Sequence, residues 1–259
     1  MANYLMDILL KEIRDRVALL TFNDPERRNV VSAELNEALL TTFDELEADE
    51  NIGAVVLTGA GGAFCAGAVL DDLLEAGQTQ GGALPEIYSG FLKVAHSPLA
   101  TVAAVNGAAV GAGMNMILGC DLVIAGESAR FDTRFLDIGL HPGGGHTWRL
   151  RNITDLATTK AMVLFGQILD GQQAAQRGVA WECVSDEDLI DVAVAHAARA
   201  AGHPRDLVAR TKETLHAGAA VTESVASVQL ELEPQQWSMQ QPAFTEMIAK
   251  LKNRIAKKS

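Results

Sequence analysis

Four short runs of predominantly apolar residues most constrain what this chain can fold into. They cover residues 16–22, 54–58, 100–105 and 122–125, and they run apolar more than they alternate. Runs of this kind are typical of strands covered on both faces, as in parallel sheets flanked by helices. The sequence therefore predicts an α/β fold in which these runs are buried strands.

Helical patterns fill much of the remaining chain. Ser32 is a predicted N-cap, because apolar residues recur near the helical period after it, at Leu35, Leu39, Phe43 and Leu46. Further helices are predicted at residues 158–164, 171–177, 186–201, 204–216 and 223–237, and a basic helix at 244–259. Strands thus lie early and helices late, with the glycine-rich residues 77–85 predicted as a mobile loop.

Composition and charge exclude several classes of function. The chain has 259 residues, of which 48% are hydrophobic, which suits one large domain or one domain with an appendage. Its net charge of -12 disfavours nonspecific nucleic-acid binding. Its longest apolar stretches fall short of the roughly 20 residues that span a bilayer. We expect no membrane insertion and no nucleic-acid partner.

Cysteine usage and the first residues bear on the compartment. Cys65, Cys120 and Cys183 are odd in number and far apart, so neither a disulfide framework nor a metal site is predicted. Residues 1–16 lack the basic start, apolar centre and cleavage site of a signal peptide. The expected location is the cytoplasm.

Two glycine-rich turns each follow a predicted strand. The first spans residues 57–68, and the second, residues 106–113, leads into a predicted short helix at 114–118. The start of a helix has free N–H groups and a positive dipole end. Two N–H groups from separate turns could share one developing oxyanion, although plain turns without chemistry are an equal alternative. Neither turn has the spacing of a nucleotide-binding loop.

Several motifs together resemble the crotonase superfamily, in order and in spacing. They are residues 63–68, 104–113, 120–125, 129–131, 139–145 and 164–184. The resemblance implies a crotonase (ClpP-like) spiral of strand-strand-helix units over residues 1–195. It also implies a C-terminal helical trimerisation region over residues 196–259, and hence a homotrimer or hexamer.

The resemblance further implies an acyl-CoA thioester as substrate, with coenzyme A as part of the substrate and no separate cofactor. Its carbonyl would be held by the backbone N–H groups of Ala68 and Ala112, each worth about 3 to 4 kcal/mol in the transition state. The positions that match the family's CoA contacts are Arg28, Ala66, Val69, Leu70 and Lys250. An exposed loop cation is an equal alternative for Arg28. An anion, Asp71, stands where the family often has a lysine.

The two catalytic glutamates of the family's hydratases have no counterpart here. The resemblance places Asn115 and Phe135 at those positions, and neither side chain can accept a proton. Loss of general acid–base help typically costs about 100- to 10,000-fold in rate. Ordinary hydration is therefore not expected. The carboxylate of the family's diene isomerases and aryl dehalogenases falls on Gly143 and Pro142, so those activities lose support as well.

Other titratable residues near this segment are candidates for a different reaction. His141 is the preferred general base, since its ordinary pKa lies near neutrality, with a structural histidine as the alternative. Asp137 would point to the same side as Phe135 on an extended backbone, or would form a structural ion pair. His146 is expected to be a packed or capping residue. Asp71 and Asp72 are further carboxylates on the first loop.

Three functions remain open from the sequence. The first is an enzyme that stabilises a thioester enolate in the backbone oxyanion hole without two-glutamate hydration. The second is a non-catalytic acyl-CoA carrier or sensor. The third is a weak enoyl-CoA hydratase in which a carboxylate such as Asp132 occupies the second glutamate site.

Overall fold

The computed structural model describes residues 8–79, 82 and 84–256. Within these residues the strands are β1 (Leu9–Arg14), β2 (Val17–Phe22), β3 (Ala54–Gly59), β4 (Ala63–Cys65), β5 (Ala100–Val105), β6 (Ala108–Val110), β7 (Leu122–Gly126), β8 (Arg130–Asp132), β9 (Leu169–Asp170) and β10 (Glu182–Val184). The helices are α1 (Ala33–Ala48), α2 (Leu70–Gln78), α3 (Leu84–His96), α4 (Ala112–Gly119), α5 (His146–Ile153), α6 (Leu156–Phe165), α7 (Gly171–Gln176), α8 (Leu189–Ala201), α9 (Arg205–Gly218), α10 (Ser224–Met239) and α11 (Pro242–Ala256).

The strands form two sheets, and from β3 to β8 successive strands belong alternately to one sheet and the other. The larger has the order β1-β2-β3-β5-β7-β10 and the smaller the order β4-β6-β8-β9. In the larger sheet only β1 and β2 pair antiparallel. Each of the pairs β3/β4, β5/β6 and β7/β8 contributes its first strand to the larger sheet and its second to the smaller. The chain therefore winds as a spiral, and the α/β spiral prediction is confirmed.

The four apolar runs are the centre of the larger sheet. They form β2, β3, β5 and β7, which are adjacent and parallel. Every residue of β3 and β5 is buried, as expected for strands covered on both faces. The predicted helix after the first run is α1, whose N-cap Ser32 accepts a hydrogen bond from the Leu35 N–H. Its apolar stripe is buried, and it includes Leu39 and Phe43.

Some elements differ from the expectation. Strand β1 was not predicted, because half of its six residues are charged and four of the six are exposed at the edge of the sheet. Most of the described part of the predicted loop at 77–85 borders or belongs to helices α2 and α3. Residues 80, 81 and 83 of that loop lie outside the described residues.

The chain forms two compact units, divided between Ala201 and Gly202. The first holds both sheets, and the second holds helices α9 to α11. Residue 195, where the sequence analysis placed a boundary, lies inside α8. The apolar face of α8 continues to its end, with Ala193, Ala197 and Ala201 all buried. None of the helices within the described ranges is long and apolar enough to cross a membrane.

Candidate active site

Two glycine-rich turns meet at one edge of the smaller sheet. They follow β4 and β6, which pair in parallel, so their carboxyl ends emerge side by side. A Cβ on Gly113 would overlap the carbonyl oxygen of Cys65. Gly67 has φ +102°, and a Cβ there would lie 2.9 Å from the Val110 oxygen and 3.9 Å from the Ala112 nitrogen. This close approach of two backbones explains the glycines.

The turns leave two backbone donors without a backbone partner. Ala112 is the first residue of α4, so its N–H has no acceptor within the helix. In the other turn, the Ala66 N–H donates to the Arg28 carbonyl (3.0 Å) and the Gly67 carbonyl accepts from Val31 (2.8 Å). Over the described part of the chain, no backbone carbonyl accepts from the N–H of Ala68 or of Ala112.

Ala68 and Ala112 line a cavity of about 390 Å³. Most of its wall is apolar, formed by Leu70, Leu73, Leu84, Ile87, Phe91, Phe135, Ile138 and Leu140. The polar side chains among its described lining residues are Tyr88, Asn115, Thr133, Arg134 and His141. None of these described lining residues is a carboxylate. The cavity thus offers two main-chain donors beside a space suited to an apolar chain.

Both polar atoms of the Asn115 side chain, which lines the cavity, have a hydrogen-bond partner. Its Nδ2 donates to the Gly143 carbonyl (3.1 Å), so its Oδ1 faces His146 Nδ1 at 2.9 Å. Because Oδ1 can only accept, Nδ1 of His146 carries the proton and Nε2 carries the lone pair. Asn115 therefore orients His146.

His146 is a buried and neutral residue. Burial, and to a lesser degree the charge of Arg149, lowers the pKa of His146 to about 4. The Phe135 ring packs edge-to-face on the imidazole, with 4.9 Å between ring centroids. His146 is 1% exposed and does not line the cavity. The expectation of a packed residue agrees with this placement.

His141 lies in the cavity lining, whereas Asp137 does not. His141 lines the cavity, and its Nδ1 donates to the Pro142 carbonyl (2.8 Å), which leaves the lone pair on Nε2. Asp137 lies in a 3₁₀ helix, Leu136–Ile138, rather than on the extended backbone that the sequence analysis assumed. Its side chain is exposed and does not line the cavity. The structure keeps His141 as a candidate base and gives Asp137 no role in the cavity.

The other carboxylates named from the sequence also lie outside the cavity lining. Asp132 forms an ion pair with Arg134. Asp71 and Asp72 are in the first turn of α2. Asp132, the carboxylate named in the third reading of the sequence, is thus not among the described residues that line the cavity. Cys65 is buried, and burial raises the pKa of its thiol to about 12, which agrees with an inert core residue.

The positions matched to CoA contacts fall into three groups. Ala66 and Leu70 line the cavity, and Val69 is the N-cap of α2 beside them. Arg28 is exposed, has a left-handed backbone (φ 56°), and is joined to the first turn through its carbonyl. Lys250 is exposed on α11 of the second unit.

Three polar cavity residues, Tyr88, Thr133 and Arg134, were missed by the sequence analysis. Tyr88 comes from α3, in which Leu84, Ile87, Tyr88 and Phe91 line the cavity at the helical spacing i, i+3, i+4, i+7. That spacing could have predicted the helix, but not which wall it would form. Arg134 has a left-handed backbone (φ 44°), and no local signal in the sequence indicates it.

An alternating two-sheet spiral with paired backbone donors at the strand ends defines the crotonase fold class. The chain belongs to the enoyl-CoA hydratase/isomerase family, whose model matches residues 12–253. It is thus an enzyme of the hydratase/isomerase type.

The chain is 41% identical to the probable enoyl-CoA hydratase EchA14 of Mycobacterium tuberculosis, over 98% of this chain and all of that protein. It is 36% identical to the 1,2-epoxyphenylacetyl-CoA isomerase of Escherichia coli, over 73% of this chain and 74% of that protein. An enoyl-CoA hydratase structure from Polaromonas sp. JS666 superposes with a TM-score of 0.88 at 25% identity, covering 95% of this chain and 97% of that one.

Proposed function

We propose that this protein binds an acyl-CoA thioester and stabilises its enolate with the N–H groups of Ala68 and Ala112. The observation that carries the proposal is the pair of backbone donors left without backbone partners at one cavity. Such donors stabilise charge that develops on the carbonyl oxygen, and each is worth about 3 to 4 kcal/mol of transition-state energy. The relatives named as acting on CoA esters support this substrate class.

The reaction proposed is proton transfer next to the thioester carbonyl rather than addition of water. Asn115 and Phe135 cannot exchange protons, and Asn115 is already bonded to Gly143 and His146. His141 is the proposed base, because it lines the cavity with an available Nε2 lone pair. The relatives include a named isomerase and named hydratases, so the preference for proton transfer rests on the side chains of Asn115 and Phe135.

The test is exchange of the α-protons of hexanoyl-CoA in D₂O, followed by mass spectrometry. We expect exchange by the wild-type protein, and a loss of about 100-fold or more in His141→Ala. A matched control is His203→Ala, which changes an exposed histidine of the second unit. Absence of α-proton exchange from hexanoyl-CoA by the wild-type protein would reject the proposal.

A carrier or sensor is the second candidate, favoured by the absence of any carboxylate among the described residues that line the cavity. Calorimetry with hexanoyl-CoA separates the two functions. Binding without α-proton exchange would support the carrier, whereas binding with exchange supports the enzyme.

For coenzyme A we propose contacts with Ala66, Val69 and Leu70 at the first turn, with Arg28 as a phosphate contact. Lys250 is proposed separately, as a phosphate contact supplied by a neighbouring copy of the chain. Arg28 is joined to that turn by the Ala66 N–H bond to its carbonyl. Charge reversal by Arg28→Glu is expected to weaken CoA binding about tenfold, and unchanged binding would remove Arg28 from the site.

We also propose a homotrimer, or a hexamer of two trimers. Large apolar side chains are exposed on the first unit, among them Trp148 (62% exposed), Phe165 (75%) and Trp181 (70%). Exposed aromatic residues of this size are typical of subunit interfaces. Light scattering of the purified protein tests the assembly, and a monomer at micromolar concentration would contradict it.

A further inference from the structure

Tyr88 is a cavity residue to which neither the sequence motifs nor the oxyanion hole assigns a task. It lies on α3, it is partly buried, and it lines the same cavity as Ala68, Ala112 and His141. Among the described residues that line the cavity, Tyr88 is the one with a phenol side chain. A phenol can both donate and accept a hydrogen bond.

The position of its hydroxyl oxygen is defined by the turn that follows Pro142. A Cβ on Gly143 would overlap this oxygen, so the phenol occupies the space that a side chain at residue 143 would take. The backbone of the neighbouring Gly144 lowers the pKa of the phenol, and Phe91 packs on the ring with 5.4 Å between centroids. Glycine at 143 therefore makes room for the hydroxyl, and Phe91 packs against the ring that carries it.

The neighbours of the hydroxyl leave its proton available. A backbone N–H such as that of Gly144 can face only a lone pair of the Tyr88 oxygen and not the phenolic hydrogen. Burial raises the pKa of the phenol by more than the Gly144 N–H lowers it. The group therefore enters a reaction at neutral pH in its protonated form, as an acid.

We propose that Tyr88 is a catalytic acid that completes an isomerisation started by His141. The proposal rests on the enolate function proposed above. With a 3-enoyl-CoA as substrate, His141 Nε2 takes a proton from C2, and the electrons move through the thioester onto the carbonyl oxygen. The dienolate is held by Ala68 and Ala112. Tyr88 then gives its proton to C4, the double bond moves to C2–C3, and the proton on His141 restores the phenol.

The test separates the two proton transfers with the full-length protein. Isomerisation of 3-hexenoyl-CoA needs both groups, whereas α-proton exchange of hexanoyl-CoA needs only His141 and the two backbone donors. In Tyr88→Phe we expect kcat for isomerisation to fall about 100-fold or more, with KM within about threefold. Exchange of the hexanoyl-CoA α-protons should stay within about twofold of wild type. A merely structural role of the phenol would instead lower isomerisation and exchange together.

A second variant tests the same assignment without changing the phenol. Gly143→Ala displaces the hydroxyl oxygen and should reproduce the effect of Tyr88→Phe. Gly77→Ala is its matched control, because a Cβ on that helical glycine meets no atom within 4 Å. The proposal is overturned if Tyr88→Phe leaves isomerisation intact, if exchange and isomerisation fall together, or if the wild-type protein exchanges α-protons without isomerising 3-hexenoyl-CoA. Absence of exchange in the wild type would instead reject the underlying enolate function.

Discussion

The two halves of this site use different chemical groups. The main-chain half consists of the N–H groups of Ala68 and Ala112, whose positions depend only on the course of the backbone. The side-chain half consists of Asn115, Phe135 and His146, whose side chains contact one another and Gly143. One half has N–H groups without backbone partners beside the cavity. In the other half the Asn115 amide is bonded to Gly143 and His146, and within the described residues the buried His146 Nε2 has no partner.

This difference shows how one fold can keep a thioester site and change its reaction. Backbone donors persist under any substitution that preserves two tightly packed turns. Proton transfer depends on which side chains reach the cavity, and in the function proposed here those are His141 from a loop and Tyr88 from α3, which both line it. The substrate class is accordingly more constrained than the chemistry.

The largest expected effect comes from breaking the main-chain half. Gly113→Ala forces the second turn away from Cys65, because the new Cβ would overlap its carbonyl oxygen. We expect α-proton exchange of hexanoyl-CoA to fall about 100-fold, since a displacement of about 1 Å can cost that much. Gly62→Ala is the control, as a Cβ there meets no atom within 4 Å. Equal activity of the two variants would show that the turn contact is dispensable.

The side-chain half is expected to matter first for stability. Asn115→Leu leaves the Gly143 carbonyl and the His146 Nδ1–H without their partner, at a cost of about 2 to 4 kcal/mol in the free energy of unfolding. Urea denaturation measures this loss. The exposed Asn152→Leu serves as control. A loss below about 1 kcal/mol would show that this amide network is not structural.

The same half predicts a dependence of stability on pH. The pKa of folded His146 is lowered to about 4 from an ordinary value of 6.5. Between these two pH values the unfolded chain therefore binds a proton that the folded protein does not bind. This contribution to stability is complete above pH 6.5 and falls as the pH drops toward 4. The loss between pH 7 and pH 5 is about 2 kcal/mol.

Urea denaturation at both pH values checks this, with His146→Gln as the comparison. Glutamine can still donate to Asn115 but does not titrate. The difference between the two proteins should shrink at pH 5, and parallel pH profiles would contradict a neutral, buried His146.

The smallest expected effect is that of Phe135. Its edge-to-face contact with His146 is worth about 1 kcal/mol beyond the area it buries. Phe135→Leu should lower the free energy of unfolding by about that amount and raise the pKa of His146 slightly, as water gains access. Histidine NMR titration measures the second change. A pKa unaffected by the substitution would mean that Phe135 does not shield the ring.

The sequence was sufficient for much of the fold and for the main-chain half of the site. Apolar runs identified β2, β3, β5 and β7 because strands covered on both faces leave a local composition signal. Ser32 identified the start of α1, because an N-cap followed by apolar residues at the helical period is also a local signal. The polar edge strand β1 carries no such signal, and its place depends on pairing with β2.

What the sequence determined by itself is the buried strands and the two turns, which rest on local patterns of apolar residues and glycines. The spiral and the family followed from the resemblance of its motifs to the crotonase superfamily. Only the tertiary structure decided which polar groups reach the cavity. Asp137 is excluded by the 3₁₀ turn it lies in, and Tyr88 is brought to Gly143 by the packing of a helix 55 residues earlier in the chain. A side chain's neighbours across the fold are set by packing between elements, which no local pattern encodes.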